Sequence, residues 1–168
     1  MAGEPMLVAR HCAVILIEER LARDLAVTGG PVQWSLAADL AGAISAPLLD
    51  LRLESDFVVD SGLMAKFADL KRRSLILFGT LLEGAVTQIA LTMLLEGYDV
   101  YICADQVRSA DPQREAVFHE RIRFCAGHVV TLPQILLELL SRVEDEKARQ
   151  SLKAVLELGA RRQGAAGL

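Results

Sequence analysis

The sequence contains few cysteines, few aromatic residues and no excess of positive charge. It has 18 Lys and Arg against 22 Asp and Glu, for a net charge of −4, and only one Trp, two Tyr and five Phe. Because such a surface does not attract phosphates and offers few rings for stacking on bases, we expect no nucleic-acid partner. The odd number and wide spacing of the cysteines exclude a disulfide framework and a Cys-x-x-Cys metal site, which favours a reducing, cytoplasmic compartment. These cysteines are Cys12, Cys103 and Cys125.

The sequence also lacks the common motifs for phosphate binding and nucleophilic catalysis. It contains no Gly-x-Gly-x-x-Gly, no Gly-Lys-Ser/Thr and no Gly-x-Ser-x-Gly segment, so we expect no nucleotide cofactor and no serine nucleophile. The histidines do not have the spacing of metal ligands, and we expect no metal or other cofactor. Cys103 ends a predicted strand but has no evident base beside it, which favours a buried cysteine that packs as a small hydrophobic residue.

One apolar window raises the question of a membrane-spanning helix. Residues 75–95 contain Glu83 as their only charge and follow the basic residues 71–73. However, Gly79 and Gly84 divide the window, and a glutamate in hydrocarbon costs a few kcal/mol. We therefore predict a buried strand followed by a helix, and no membrane partner. The N-terminal residues also lack the pattern of a secretory signal.

Short aliphatic runs alternate with helical patterns along the chain, which is 52% apolar. This alternation predicts a three-layer α/β/α sandwich with a mainly parallel, doubly wound sheet of about five or six strands. We expect one domain over residues 1–168, with a C-terminal helix at 144–162 and a frayed tail at 163–168. The predicted strands are 12–17, 47–51, 74–78, 99–103 and 128–131. The other predicted helices are 33–44, 63–70, 83–95, 112–126 and 133–142.

Ligands of such sheets bind outside the carboxyl ends of the strands. Glu18 directly follows the first predicted strand, where it is either a general acid/base or a solvated glutamate. Glu83 is expected in the first helical turn after the third strand, where the helix dipole stabilises it. The predicted rim of a pocket consists of Gly79, Thr80, Glu83 and Asp105.

Residues 74–139 resemble the isochorismatase-like cysteine hydrolases. Members of that family have a strand, a glycine, a Thr-Asp/Glu-x-Cys-Val segment, a helix, Gly-Tyr, a strand and an aspartate. The opening AVILIEER is similar to the family's first strand, which ends Ile-Asp-x-Gln, and the resemblance covers about three quarters of the chain. The residues that match this pattern are Gly79, Glu83, Val86, Gly97, Tyr98, Asp105, Gly127 and Gln134.

The resemblance implies a catalytic aspartate, lysine and cysteine, and all three positions differ in this chain. The aspartate position corresponds to Glu18, the lysine position to Arg52 and the cysteine position to Ala85. An alanine supplies no nucleophile, and an arginine keeps the cation but does not give up its proton. About thirty residues usual in the family between the second strand and this segment are missing. The chain is thus predicted to be a shortened, catalytically divergent member.

Two functions are consistent with this pattern. The first is a non-catalytic protein of this fold that forms a homo-oligomer and binds a small-molecule ligand, with regulation through that ligand as a variant. The alternative is a cysteine-independent hydrolase of a vinyl ether or small amide that uses Glu18 as general acid/base with Arg52 as its electrostatic partner. The final helix carries an apolar seam that either forms the oligomer interface or packs on its own sheet. The seam consists of Ala148, Leu152, Val155 and Leu158.

Overall fold

A computed structural model describes residues 7–20, 34–54 and 56–165, and its centre is a five-stranded sheet. All four strand pairings are parallel, in the order β2-β1-β3-β4-β5. The predicted parallel α/β sandwich is therefore confirmed. The strands are β1 (Cys12–Glu19), β2 (Leu48–Leu53), β3 (Ser74–Thr80), β4 (Asp99–Arg108) and β5 (His128–Val130).

Helices cover both faces of the sheet. They are α1 (Trp34–Ala43), α2 (Ser61–Asp69), α3 (Thr87–Leu95), α4 (Glu115–Phe124), α5 (Leu132–Arg142) and α6 (Glu146–Ala165). A π-helical turn (Leu82–Val86) joins β3 to α3, and short 3₁₀ turns lie at Ala9–His11 and Pro112–Arg114. The apolar window 75–95 is thus a buried strand followed by a helix, as predicted. Within the described ranges no helix is long and apolar enough to cross a membrane.

The two faces of the sheet form two separate apolar cores because neighbouring residues of a strand point to opposite sides. In β1, Val14 and Leu16 pack in the core beneath α1, α5 and α6. Ile15 and Ile17 pack in the other core, beneath α2, α3 and α4. Strands covered on both faces read as continuous apolar runs, which explains the high apolar content of the sequence.

The seam of the C-terminal helix packs on its own chain. Leu152 and Val155 are buried in the first core, and α6 lies against α1 and α5. The Arg162 guanidinium donates a hydrogen bond to Ser35 Oγ of α1 at 2.7 Å. Of the two alternatives for the seam, Leu152 and Val155 therefore follow the one in which the helix packs on its own chain. The helix ends at Ala165, three residues beyond the predicted end, and residues 166–168 of the predicted frayed tail lie outside the described part.

The strand order reverses direction between β1 and β3, which makes their carboxyl ends the switch point of the sheet. Gly79 ends the apolar part of β3 there, and its backbone leaves no room for a side chain beside β1. A Cβ at this position would lie 1.8 Å from the Ile17 carbonyl oxygen, and its φ of +134° is a conformation that side chains disfavour. Only glycine fits this point, beside which the predicted site residues are found.

Candidate functional site at the switch point

Two consecutive glutamates end β1 and lie on opposite faces of the sheet. The strand continues through Glu18 and Glu19, two residues beyond the predicted end at Ile17. Glu18 pairs in register with Arg52 of β2 and with Thr80 of β3. Because side chains alternate along a strand, Glu18 lies on the side of α1 and Glu19 on the side of α3.

The Glu19 carboxylate is buried against the turn that precedes α3. Its Oε2 accepts a hydrogen bond from the Ala85 N–H at 3.0 Å and a longer one from the Leu81 N–H at 3.4 Å. The side chain is only 4% exposed. Backbone N–H groups at such a turn are natural binding sites for an anion or a developing oxyanion. Here the chain's own carboxylate occupies them.

Gly84 allows the carboxylate to approach the turn. A Cβ on Gly84 would lie 2.5 Å from Glu19 Oε2 and 3.1 Å from Oε1. A side chain at position 84 would therefore have to displace the carboxylate from its hydrogen bonds. Ala85, the position that the resemblance assigns to a cysteine, is fully buried in the same place.

Glu18 lies in an open pocket on the other face. Its Oε2 is 3.9 Å from Arg52 Nε, and Arg52 Nη2 is 3.6 Å from Asp50 Oδ2. The Arg52 side chain is 68% exposed and that of Glu18 is 26% exposed. The cavity has a volume of about 290 Å³ and is lined by Leu16, Glu18, Trp34, Asp50 and Arg52.

The structure thus brings together Glu18 and Arg52 but not all three predicted positions. The carboxylate that contacts the backbone of Ala85 belongs to Glu19, whereas the Glu18 side chain lines the pocket on the other face. A role for Glu18 and Arg52 in catalysis stays a prediction. Because the apolar run stops at Ile17, the sequence places both Glu18 and Glu19 just after the strand, and it assigns no role to Glu19. Continuing the two-residue alternation past Ile17 would have placed them on opposite faces.

The predicted rim residues are spread around the two sides. Thr80 is buried at the end of β3. Glu83 belongs to the π-helical turn and not to α3, which begins at Thr87, and its Oε1 accepts a hydrogen bond from the Ala110 N–H at 2.6 Å. Asp105 lies within β4 and accepts a hydrogen bond from the Leu132 N–H at 2.9 Å. Glu83 therefore ties the loop after β4 to the π-helical turn, and Asp105 ties the start of α5 to the sheet.

Cys12 and Cys103 are poorly suited to act as thiolates. Burial raises the pKa of Cys103 well above its usual value, and the neighbouring Asp105, whose Oδ1 accepts a hydrogen bond from the thiol at 3.2 Å, raises it further. Burial raises the pKa of Cys12 to about 12, although Arg72 opposes the shift. The described segments contain no group of acidic, histidine and cysteine residues that could hold a metal ion.

This geometry defines a doubly wound α/β protein whose switch point carries one closed and one open side. Residues 5–134 match the sequence profile of the isochorismatase domain. This match covers most of the chain. The chain belongs to the isochorismatase family. No functionally curated protein is significantly similar to it in sequence.

Several solved structures share the fold at low sequence identity. YcaC from Pseudomonas aeruginosa, determined with hexane-2,5-diol and covalent acrylamide, superposes with a TM-score of 0.76 at 16% identity, over 100% of both chains. The Escherichia coli YcaC gene product, described as an octameric hydrolase of unknown specificity, gives 0.71 at 14% identity, over 99% of this chain and 98% of its own. A MAR1 ribonuclease from Caenorhabditis elegans gives 0.71 at 13% identity, over 90% and 92%. At these identities the likeness establishes the fold alone.

Proposed function

We propose that this chain is a non-catalytic, self-assembling member of the isochorismatase family. The observation that carries the proposal is the closed side of the switch point. Ala85 has no nucleophilic atom, is fully buried, and gives its N–H to the Glu19 carboxylate. A substrate carbonyl would have to displace a buried carboxylate from these amides, and it would then meet a methyl group.

Self-assembly is supported by the octameric state described for the Escherichia coli relative, whose fold this chain matches over nearly its whole length. The protein also exposes large apolar side chains that its own core does not use, among them Leu95 and Phe124, each 85% exposed. The cytoplasm is the compartment that fits best, because the three widely spaced cysteines are free thiols.

A turnover assay tests the loss of catalysis directly. Wild-type protein, Glu18→Gln and the matched pocket variant Asp50→Asn are incubated with a vinyl ether and with small amides. We expect hydrolysis no faster than in buffer for all three. Wild-type turnover that Glu18→Gln abolishes and Asp50→Asn retains would overturn the proposal in favour of a cysteine-independent hydrolase, since an amide cannot deliver the proton.

A thiol placed at position 85 tests whether the site is closed. In a Cys125→Ser background, Ala85→Cys is compared with Ala65→Cys, which lies on the exposed surface of α2. Because burial and the Glu19 carboxylate both disfavour a thiolate, we expect the thiol at position 85 to react with iodoacetamide roughly tenfold more slowly than the surface thiol, or slower still. Faster alkylation at position 85 would show an open site that activates a thiol, and would contradict the proposal.

The open pocket is a second candidate for function, as a site for a small ligand. Among the described residues, Glu18, Asp50 and Arg52 line it with charged groups and Trp34 supplies an aromatic face, which together suit a ligand with an ammonium group. Trp34 is the only tryptophan of the chain, so its fluorescence reports on this pocket alone. Choline as probe is expected to give a saturable change in emission that the Glu18→Gln, Asp50→Asn double variant weakens. A change that never saturates would argue against a site.

A further inference from the structure

Helix α4 exposes a strip of side chains that its own fold leaves in solvent. Val117 is 63% exposed and Phe124 is 85% exposed, one heptad apart on the same line of the helix. Glu120 and Arg121 are both exposed and flank that line on its two sides. Ile122, on the opposite side of the helix, is fully buried in the second core. The strip therefore faces directly away from the protein.

The order of charges on the strip favours one way of pairing with an identical strip. When two copies of a helix lie parallel about a two-fold axis, the left flank of one faces the right flank of the other. Val117 then meets Val117 of the second copy, Phe124 meets Phe124, and Glu120 lies beside Arg121 on both sides. An antiparallel pair would instead place equal flanks together, so that glutamate faces glutamate and arginine faces arginine.

We propose that α4 forms a two-fold, parallel helix pair with α4 of a second copy of this chain. The inference rests on the self-assembly part of the proposed function and names the surface that would carry it. The apolar line supplies the buried contact, and two Glu120–Arg121 pairs across the axis select the partner and the direction.

The neighbouring end of α3 offers further exposed apolar surface. Leu94 and Ile122 both approach Gly127, so the C-terminal turns of α3 and α4 are adjacent. Leu95, 85% exposed, ends α3 near the end of the strip. A ten-residue helix is only about 15 Å long, and one such pair buries less than the roughly 800 Å² per partner of a standard interface. The contact therefore has to include the end of α3 as well as α4.

Charge reversal tests the proposal by sedimentation over a range of protein concentrations. Glu120→Arg and Arg121→Glu each place like charges across the axis, and each should weaken association roughly tenfold or more. The double variant Glu120→Arg, Arg121→Glu restores opposite charges and should return association to within about threefold of wild type. Circular dichroism checks that each variant is folded. A double variant as weak as the single ones would overturn the proposal.

Cysteine cross-linking tests the parallel direction independently. In a Cys125→Ser background, Phe124→Cys should form a disulfide between copies on mild oxidation, because position 124 meets itself only in the parallel pair. Gly42→Cys, on the exposed face of α1, is the control and should remain monomeric on a denaturing gel. If Phe124→Cys cross-links only when mixed with Val117→Cys, the helices are antiparallel and the proposal fails.

The outcomes for the surface and for the proposed function are separable. A wild-type protein that assembles but is insensitive to all α4 variants would overturn the α4 surface and leave self-assembly standing. A wild-type protein that sediments as an 18.3 kDa monomer at all concentrations would overturn both. Neither result bears on the turnover assay, which tests catalysis alone.

Discussion

Glu18 and Glu19 are identical in chemistry and adjacent in sequence, yet their surroundings are opposite. Glu19 is 4% exposed and accepts hydrogen bonds from two backbone N–H groups of the β3–α3 turn. Glu18 lines an open pocket, with an exposed arginine 3.9 Å away. The difference arises solely from the alternation of side chains along β1. One end of a strand thereby supplies a structural carboxylate to one face and a solvent-accessible carboxylate to the other.

The largest effect is expected from removing the buried carboxylate. Glu19→Ala leaves the Ala85 N–H without its acceptor in a buried place, and it also loses the weaker bond from Leu81. Because an unpaired buried donor costs its full desolvation, the free energy of unfolding should fall by about 2–3 kcal/mol. Urea denaturation measures the change. Glu19→Gln, which keeps one carbonyl acceptor, should cost less, and an unaltered midpoint for Glu19→Ala would show that the carboxylate does not hold the turn.

A smaller effect is expected from Gly84→Ala, and it should depend on Glu19. The added methyl group would lie 2.5 Å from Glu19 Oε2, so it has to push the carboxylate aside at a cost of about 1–2 kcal/mol. In a Glu19→Ala background that clash is absent. The two substitutions together should therefore cost less than the sum of the single ones, by about 1 kcal/mol.

Gly42→Ala is the control for this comparison of single and double substitutions. Gly42 lies in α1, and the space that a Cβ would occupy there is open, so its substitution should raise the free energy of unfolding by about 0.5–1 kcal/mol. That gain should be the same with and without the Glu19 carboxylate. If the effects of Gly84→Ala and Glu19→Ala also simply added, the carboxylate and the turn would not be coupled.

The fold could be predicted from the sequence because apolar runs and helical patterns report burial, and burial determines the layers. The apolar runs predict strands that end at their last apolar residue, at Ile17 and Cys103, whereas β1 continues to Glu19 and β4 to Arg108. Backbone pairing does not require apolar side chains, so a strand can extend into polar residues wherever a neighbouring strand accompanies it.

The site was less predictable because its two glutamates lie in the part of β1 that extends beyond the apolar run. The family pattern assigns the carboxylate to Glu18. Hydropathy places both glutamates after the strand, where no periodicity predicts the face on which each side chain lies. Once the strand includes them, one-residue spacing places them about 180° apart. Which of them faces the β3–α3 turn depends on which face α3 covers, and that follows from the three-dimensional winding of the chain. The contact between Glu19 and Ala85 was therefore visible only in the structure.

The smallest effect is expected on the open side, and it completes the comparison. Arg52→Ala should change the free energy of unfolding by no more than about 0.5 kcal/mol, because an exposed guanidinium that lies 3.9 Å from Glu18 and 3.6 Å from Asp50 contributes little in water. Raising the salt concentration should weaken these pairs further, so it should not enlarge the effect of Arg52→Ala. Urea denaturation, run beside Glu19→Ala, provides the measurement. A loss near 2 kcal/mol for Arg52→Ala would mean that the ion pairs on the open side are structural as well, and the contrast between the two faces would fail.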